Sequence, residues 1–200
     1  MDFLKDLEFV VELEKMKKIY RRTWIIGEDR RENDAEHSWH ISVMAMLLSQ
    51  YADDAIREKI DIDKIVKMLL VHDIVEIYAG DTFAYDTNGS VDKKERETQA
   101  MEKICSKLTK QNGDLVSSLW QEFEEMKTED ALMANALDRL QPVMSNIYSE
   151  KGGSWREFGI TRSQIMKRIE PISKVSQKIY TYLLEQIEEN IRKGDLTEDQ

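Results

Sequence analysis

At 200 residues and 41% hydrophobic content, the chain is long enough to bury one core and too short to demand two domains. Its formal net charge of −10 argues against general binding to nucleic acid polymers, and no apolar run approaches the roughly 20 residues that span a membrane. A single cysteine, Cys105, excludes an intramolecular disulfide and suits a reducing compartment. Asp2, Lys5 and Asp6 interrupt the N-terminus against a signal peptide, so a soluble, cytoplasmic protein is expected. With 2 Pro, 8 Gly and 34% charged residues, and no strand-like alternation, the chain reads as all-α.

Residues 2–20 carry Phe3, Leu4, Leu7, Val10, Val11 and Ile19 at the spacing of an amphipathic helix. Between Lys15 and Arg31 the basic residues Lys15, Lys17, Lys18, Arg21, Arg22, Arg30 and Arg31 face only Glu28 and Asp29. This stretch suits a small anion, and periodicity fails over 21–33, which reads as a loop. Asp34 is the expected N-cap of a helix to about Tyr51, with Val43, Met44, Met46, Leu47 and Leu48 as its apolar body. His37 falls in its first turn.

Asp61 or Asp63 starts the helix that ends in MLLVHDIVEIYAGD, residues 68–81. Its first half is apolar on nearly every side, as in a helix through a core, and it stops at Gly80, which is free to turn left-handed. It nevertheless carries His72, Asp73 and Glu76. At about 100° per residue these lie within about a quarter-turn of one another. Burying them together is costly unless something binds them, and a divalent cation is the simplest compensation.

Residues 82–92 are turn-rich and aromatic, with a turn signal at Asn88-Gly89, and are placed to wall or cover a site beside those acids. Helical patterns follow at 93–110, 114–127 and 129–149, the last with Leu132, Leu137 and Leu140 facing inward. Pro142 interrupts that pattern and removes the bond that the Asp138 carbonyl would have accepted. Residues 152–159 read as a loop, whose Trp155 and Arg156 are further pocket candidates. Thr161 and Gln164 form a capping box for a terminal helix bent at Pro171 and running to about Arg192. With no repeat or linker, one domain over 1–200 is expected, its core at about 5–185.

A mononuclear site for Mn, Fe, Co or Zn, with Mg less suited, takes imidazole and carboxylate ligands and leaves positions for water. His37, His72 and Asp73 supply three ligands. Asp138, set among apolar residues in ALDRL, is the fourth. Two neutral imidazoles and two carboxylates offset a 2+ charge. His40, one turn past His37, suits packing or a hydrogen bond behind the ligands better than ligation.

The blocks AEHSWHISVMA, LLVHDIVEIYAGD and ALDRLQP contain these ligands in the order H…HD…D. In this the chain resembles the HD-domain metal-dependent phosphohydrolases, and among them the small single-domain branch that includes bacterial 5′-deoxynucleotidases. The resemblance implies a helical-bundle HD domain, one divalent transition metal and hydrolysis of (deoxy)nucleoside 5′-monophosphates to nucleoside and phosphate. It also implies a homodimer, for which the C-terminal helix offers a face. A bound cation lowers the pKa of a coordinated water and withdraws charge from a phosphoryl oxygen. Glu76 can then act as base for the water or acid for the leaving 5′-oxygen, and Asp81 can hold the water or leaving hydroxyl; the matching residues of the family are assigned such roles.

Arg21 and Arg22 are the expected phosphate ligands, since guanidinium grips phosphate in bidentate fashion. The family places such an Arg directly before a Trp that contacts the sugar. Here Thr23 separates Arg22, the first choice, from Trp24. Ile77 after Glu76 argues against the guanosine tetraphosphate hydrolases, which carry HDxxED, and the shortage of histidines argues against the dinuclear phosphodiesterases. The alternative from another class is a non-catalytic nucleotide-sensing or scaffold protein of the same fold. Glu76 and Asp81 beside the ligands speak against it, because a purely structural site needs neither.

Overall fold

The computed structural model describes residues 2–86, 89, 91–150 and 152–199; Asn88, of the expected turn, lies outside the described residues. Helix α1 (Asp2–Glu12) passes through a 3₁₀ turn (Leu13–Lys18) into a hairpin of β1 (Tyr20–Trp24) and β2 (Arg31–Asn33). Next come α2 (Asp34–Leu48), the short α3 (Asp54–Arg57), α4 (Ile62–Val71) and the one-turn α5 (Glu76–Ala79). The second half comprises α6 (Lys93–Lys107), α7 (Lys110–Glu125), α8 (Glu129–Ile147), α9 (Gly153–Glu157), α10 (Arg162–Ser173) and α11 (Gln177–Lys193).

Helix α8 is the axis of the bundle. Ala131, Ala134, Leu137, Leu140 and Val143 are buried along it, and the small alanines let α4 and α2 approach closely. Ile41 and Ala45 of α2, Met68 and Leu69 of α4, Ile165 and Ile169 of α10, and Leu183 and Ile187 of α11 fill the space around it. A smaller cluster joins Phe9 of α1 to Ile74, Val75, Met101 and Ile104, beneath α5 and α6. Among the described residues the fold is therefore all-α apart from one two-stranded hairpin. No helix among the described residues is long and apolar enough to cross a membrane.

Several local expectations need correction. The 21–33 segment is not a plain loop: β1 and β2 pair antiparallel, Tyr20 opposite Asn33 and Trp24 opposite Arg31. The N-cap of α2 is Asn33 rather than Asp34. Its side chain accepts from Glu36 N at 3.0 Å while Glu36 Oε2 accepts from Asn33 N at 3.2 Å, a reciprocal capping box. Met46 and Leu47 are not in the core; they are 66% and 59% exposed, and Ile41 and Ala45 form the buried stripe instead. On α1, Phe9 is buried, whereas Phe3, Leu4, Leu7, Val10 and Val11 face outward.

The central helix is also interrupted, since α4 stops at Val71 and residues 72–75 form turns before α5. Gly80 ends α5 at φ +76°, ψ 149°, a backbone region favourable only to glycine but not the left-handed helical turn. The 152–159 stretch contains α9, entered through Gly152 at φ +73°. The expected single terminal helix is two helices, α10 ending just past Pro171 and α11 starting after Ser176. The Thr161–Gln164 reading holds, with Thr161 N donating to Gln164 Oε1 at 2.9 Å.

Candidate metal centre and the cavity around it

The break at His72 has a local cause that also aims its ring. His72 Nδ1–H donates to the Leu69 carbonyl at 2.8 Å, which leaves Nε2 as the free lone pair. His37, fully buried in the first turns of α2, is held in the same sense: its Nδ1 lies 3.0 Å from Gln141 Oε1 and 3.5 Å from Glu32 Oε2. Gln141 in turn donates to Glu32 Oε1 at 2.8 Å and lies 3.4 Å from His40 Nδ1. His40 thus sits behind His37, on the far side of Gln141, rather than among the converging donors.

The two Nε2 atoms and a carboxylate oxygen of Asp138 all lie within 4.8 Å of one another, a group that could hold a metal ion. Asp138 Oδ1 is 3.1 Å from His37 Nε2 and 3.8 Å from His72 Nε2. Asp73 stands at the edge of the group, its Oδ2 3.0 Å from His72 Nε2 and 4.0 Å from His37 Nε2. The His72 Nε2 atom is buried without a hydrogen-bond partner, as expected of a lone pair aimed at a cation. Imidazole and carboxylate donors with both tautomers tied from behind fit a divalent transition metal.

The charges are strongly interdependent. Burial works against a proton on His72, yet the adjoining Asp73 and Asp138 carboxylates carry its pKa up to about 10. Burial likewise opposes the charge on Asp138, but the hydrogen bond from His37 and the neighbouring His72 and Arg168 charges hold its pKa well below the ordinary carboxylate range. Arg21, reaching in from β1, donates to Asp73 Oδ2 at 2.6 Å and lies 3.4 Å from Asp34 Oδ1. A cation binding here must displace protons from the imidazoles, so its affinity rises with pH.

A second group of carboxylates adjoins the first. Asp34, Glu76 and Asp81 place oxygens within 4.8 Å of one another, and they too could hold a metal ion. Asp34 Oδ2 and Glu76 Oε2 are buried without a hydrogen-bond partner. Burial and the neighbouring Asp73 raise the pKa of Asp34 to about 6, and burial with the Asp73 and Asp34 charges raises Glu76 well above its ordinary range. Burial also raises Asp81. Sequence reasoning identified Glu76 and Asp81 here but took Asp34 for a cap.

Both groups open on a cavity of about 210 Å³. Arg21, Arg22, Asp73, Glu76, Asp81 and Asp138 line it, joined by Lys93, Glu97, Glu124, Arg139 and Arg168 from α6, α7, α8 and α10. Thr82, Phe83 and Tyr85 form a wall, as expected for the 82–92 segment, and Arg96 fastens that segment by donating to Ala79 O and Gly89 O. Trp155, almost fully buried, lines the cavity from α9, where Asn146 Oδ1 accepts from Ser154 Oγ and Trp155 N.

Arg22 is exposed, its guanidinium 6.0 Å from the Phe158 ring centre. Trp24 is not brought to the cavity. Its Nε1 donates to Glu157 Oε2 at 2.8 Å and Arg31 stacks on its ring at 3.9 Å, so it lines a separate depression with Ile25, Arg156 and Glu157.

The HD-domain family model matches residues 13–180. A crystal structure described as a "predicted metal-dependent phosphohydrolase" from Magnetospirillum magnetotacticum superposes with a TM-score of 0.89 at 43% identity, covering 98% of this chain and 96% of that one. The 5′-deoxynucleotidase HDDC2 of Dictyostelium discoideum is 31% identical over 72% of this chain and 77% of its own length. The Xenopus laevis 5′-deoxynucleotidase HDDC2 is 27% identical over 93% of this chain and 91% of its own. On the match of its sequence, its fold and its His/Asp group, the chain belongs to the HD-domain family of metal-dependent phosphohydrolases.

Proposed function

We propose that the chain is a 5′-nucleotidase acting on (deoxy)nucleoside 5′-monophosphates, with His37, His72, Asp73 and Asp138 as the ligands of a divalent transition metal (Mn, Co, Fe or Zn). The observation that carries this reading is the convergence of two inward-facing Nε2 atoms and the Asp138 carboxylate beside a cavity lined by Glu76, Asp81 and Arg22. The relatives' activity as 5′-deoxynucleotidases supports it. The cation supplies Lewis acidity toward a phosphoryl oxygen and toward water.

The remaining work falls to side chains. Arg22, exposed at the cavity and not committed to a carboxylate as Arg21 is, meets the phosphate. Glu76, raised by burial and neighbouring charge, keeps its proton and delivers it to the leaving 5′-oxygen, and the proton given up by the attacking water restores it. Asp81, just past α5, holds the attacking water or the departing hydroxyl. Trp24 contributes by bracing the hairpin that carries both arginines, through Glu157 and Arg31, rather than by reaching into the cavity.

A second reading has Asp34, Glu76 and Asp81 binding a further cation, which the two unpartnered buried oxygens favour. Metal-to-protein stoichiometry separates the two readings. Self-association belongs to the proposal as well: α1 exposes Phe3, Leu7, Val10 and Val11, and α2 exposes Trp39, Met46 and Leu47. These apolar side chains, more exposed than those of the C-terminal helix, are offered to a second copy. The test of function is release of inorganic phosphate from a panel of deoxynucleoside monophosphates with added Mn²⁺ or Co²⁺. A non-catalytic sensor would bind nucleotide and release none.

A further inference from the structure

The cavity holds a positive corner that the roles above leave unused. Arg168, on α10, donates from Nη2 to Asp138 Oδ2 at 3.2 Å, while the other oxygen of the same carboxylate faces His37 and, at 4.0 Å, Arg21. Asp138 is thus flanked by two guanidiniums, one from the hairpin and one from α10. Among the described residues Asp138 is the only hydrogen-bond or ion-pair partner of the Arg168 side chain, so its other N–H groups are left to the cavity it lines.

Arg139 adds to this corner. It lines the same cavity, its Nη1 donates to the Arg168 carbonyl at 3.4 Å, and its Nε is buried without a partner. Once a cation shares the charge of Asp138, that carboxylate compensates Arg168 less. The corner is then suited to an anion on its cavity side.

We propose that Arg168, braced by Arg139, is a second phosphate anchor, gripping from α10 the group that Arg22 meets from the hairpin. This rests on the phosphohydrolase reading above. The fork geometry of guanidinium suits two phosphoryl oxygens at once, and the bond to Asp138 holds the fork in place without consuming it.

The test is calorimetric titration of inorganic phosphate into the Mn²⁺-loaded full chain. Wild type is compared with Arg168→Gln, Arg168→Lys and, as a control for lost charge on the same helix, Arg162→Gln, whose side chain pairs with Glu188 at the surface. Arg168→Gln is expected to weaken phosphate binding about tenfold or more, with KM for nucleotide rising more than kcat falls. Arg168→Lys, which keeps the charge but not the fork, should fall between, and both should bind Mn²⁺ as the control does. Phosphate affinity equal to wild type in Arg168→Gln overturns the proposal. So does a loss that follows Mn²⁺ affinity step for step, which would make Arg168 only a brace for Asp138. If wild type hydrolyses no nucleotide, the proposed function fails, yet the phosphate titration still decides the role of Arg168.

Discussion

Asp34→Asn should stabilise the metal-depleted protein, although Asp34 has no exposed surface and sits inside the site. Burial, with the neighbouring Asp73 charge, moves its pKa from an ordinary 3.8 to about 6, net of the attraction of Arg21. A carboxyl that holds its proton more tightly folded than unfolded weakens the fold when ionised. The penalty is absent below the unfolded value, grows as pH rises, and is complete above the folded value of about 6. The displacement corresponds to about 3 kcal/mol, or roughly 6–12 °C in Tm for a chain of this size. The assay is urea or thermal unfolding of chelator-treated wild type and Asp34→Asn at pH 4 and pH 8. The variant should gain about 3 kcal/mol at pH 8 and only a small fraction of that at pH 4. No gain at pH 8, or an equal gain at both values, would refute the electrostatic account of this cluster. A gain at pH 8 alone would make the stability cost of Asp34 part of what the site gives up for function.

Glu76→Gln keeps the volume but not the proton, so kcat should fall about 10²–10⁴-fold while phosphate still binds. With Glu76 in the proposed role of an acid of raised pKa, the loss of wild-type activity as pH rises through that value should vanish in the variant; full activity in Glu76→Gln would exclude this role. Gly153→Ala should destabilise the α8–α9 junction, because a Cβ there would stand 2.6 Å from Asn146 Oδ1 at φ +52°; unchanged unfolding curves would contradict the packing described. Leu7→Asp combined with Val11→Asp should halve the mass measured by light scattering if α1 is the dimer face, and a mass unaffected by the pair would exclude that face. Metal affinity should rise with pH as the imidazoles deprotonate, most steeply through His72; a flat profile between pH 6 and about 8 would argue against imidazole ligation.

Of the proposed metal ligands, His72, Asp73 and Asp138 are legible in the sequence because each breaks a local rule. His72 and Asp73 interrupt an apolar helix, and Asp138 sits between Leu137 and Arg139 in a helix that is otherwise core. The hairpin is not legible, since an alternating pattern shows only when the inward face meets apolar core. In β1 the inward residues are Arg21 and Thr23, which meet a polar cavity instead. Asp34 resembles an ordinary capping residue; its part in the acidic group depends on how α2 meets α5, which no local signal encodes. Arg168 and Lys93 are hidden for the same reason, because a single basic residue on a surface-like helix gains meaning only when packing turns it toward a cavity. Trp24 misleads in the opposite direction. Its neighbourhood with Arg22 suggests a shared pocket, yet the clasp of Arg31 and Glu157 holds its ring over a separate depression.

The central claim is that one cation is held jointly by α2, the turn after α4, and α8. Anomalous diffraction from crystals of the Mn²⁺-loaded protein tests it most directly. The account predicts a peak at bonding distance from Nε2 of His37, Nε2 of His72 and carboxylate oxygens of Asp73 and Asp138. A peak that lies elsewhere, or none at saturating Mn²⁺, would contradict it.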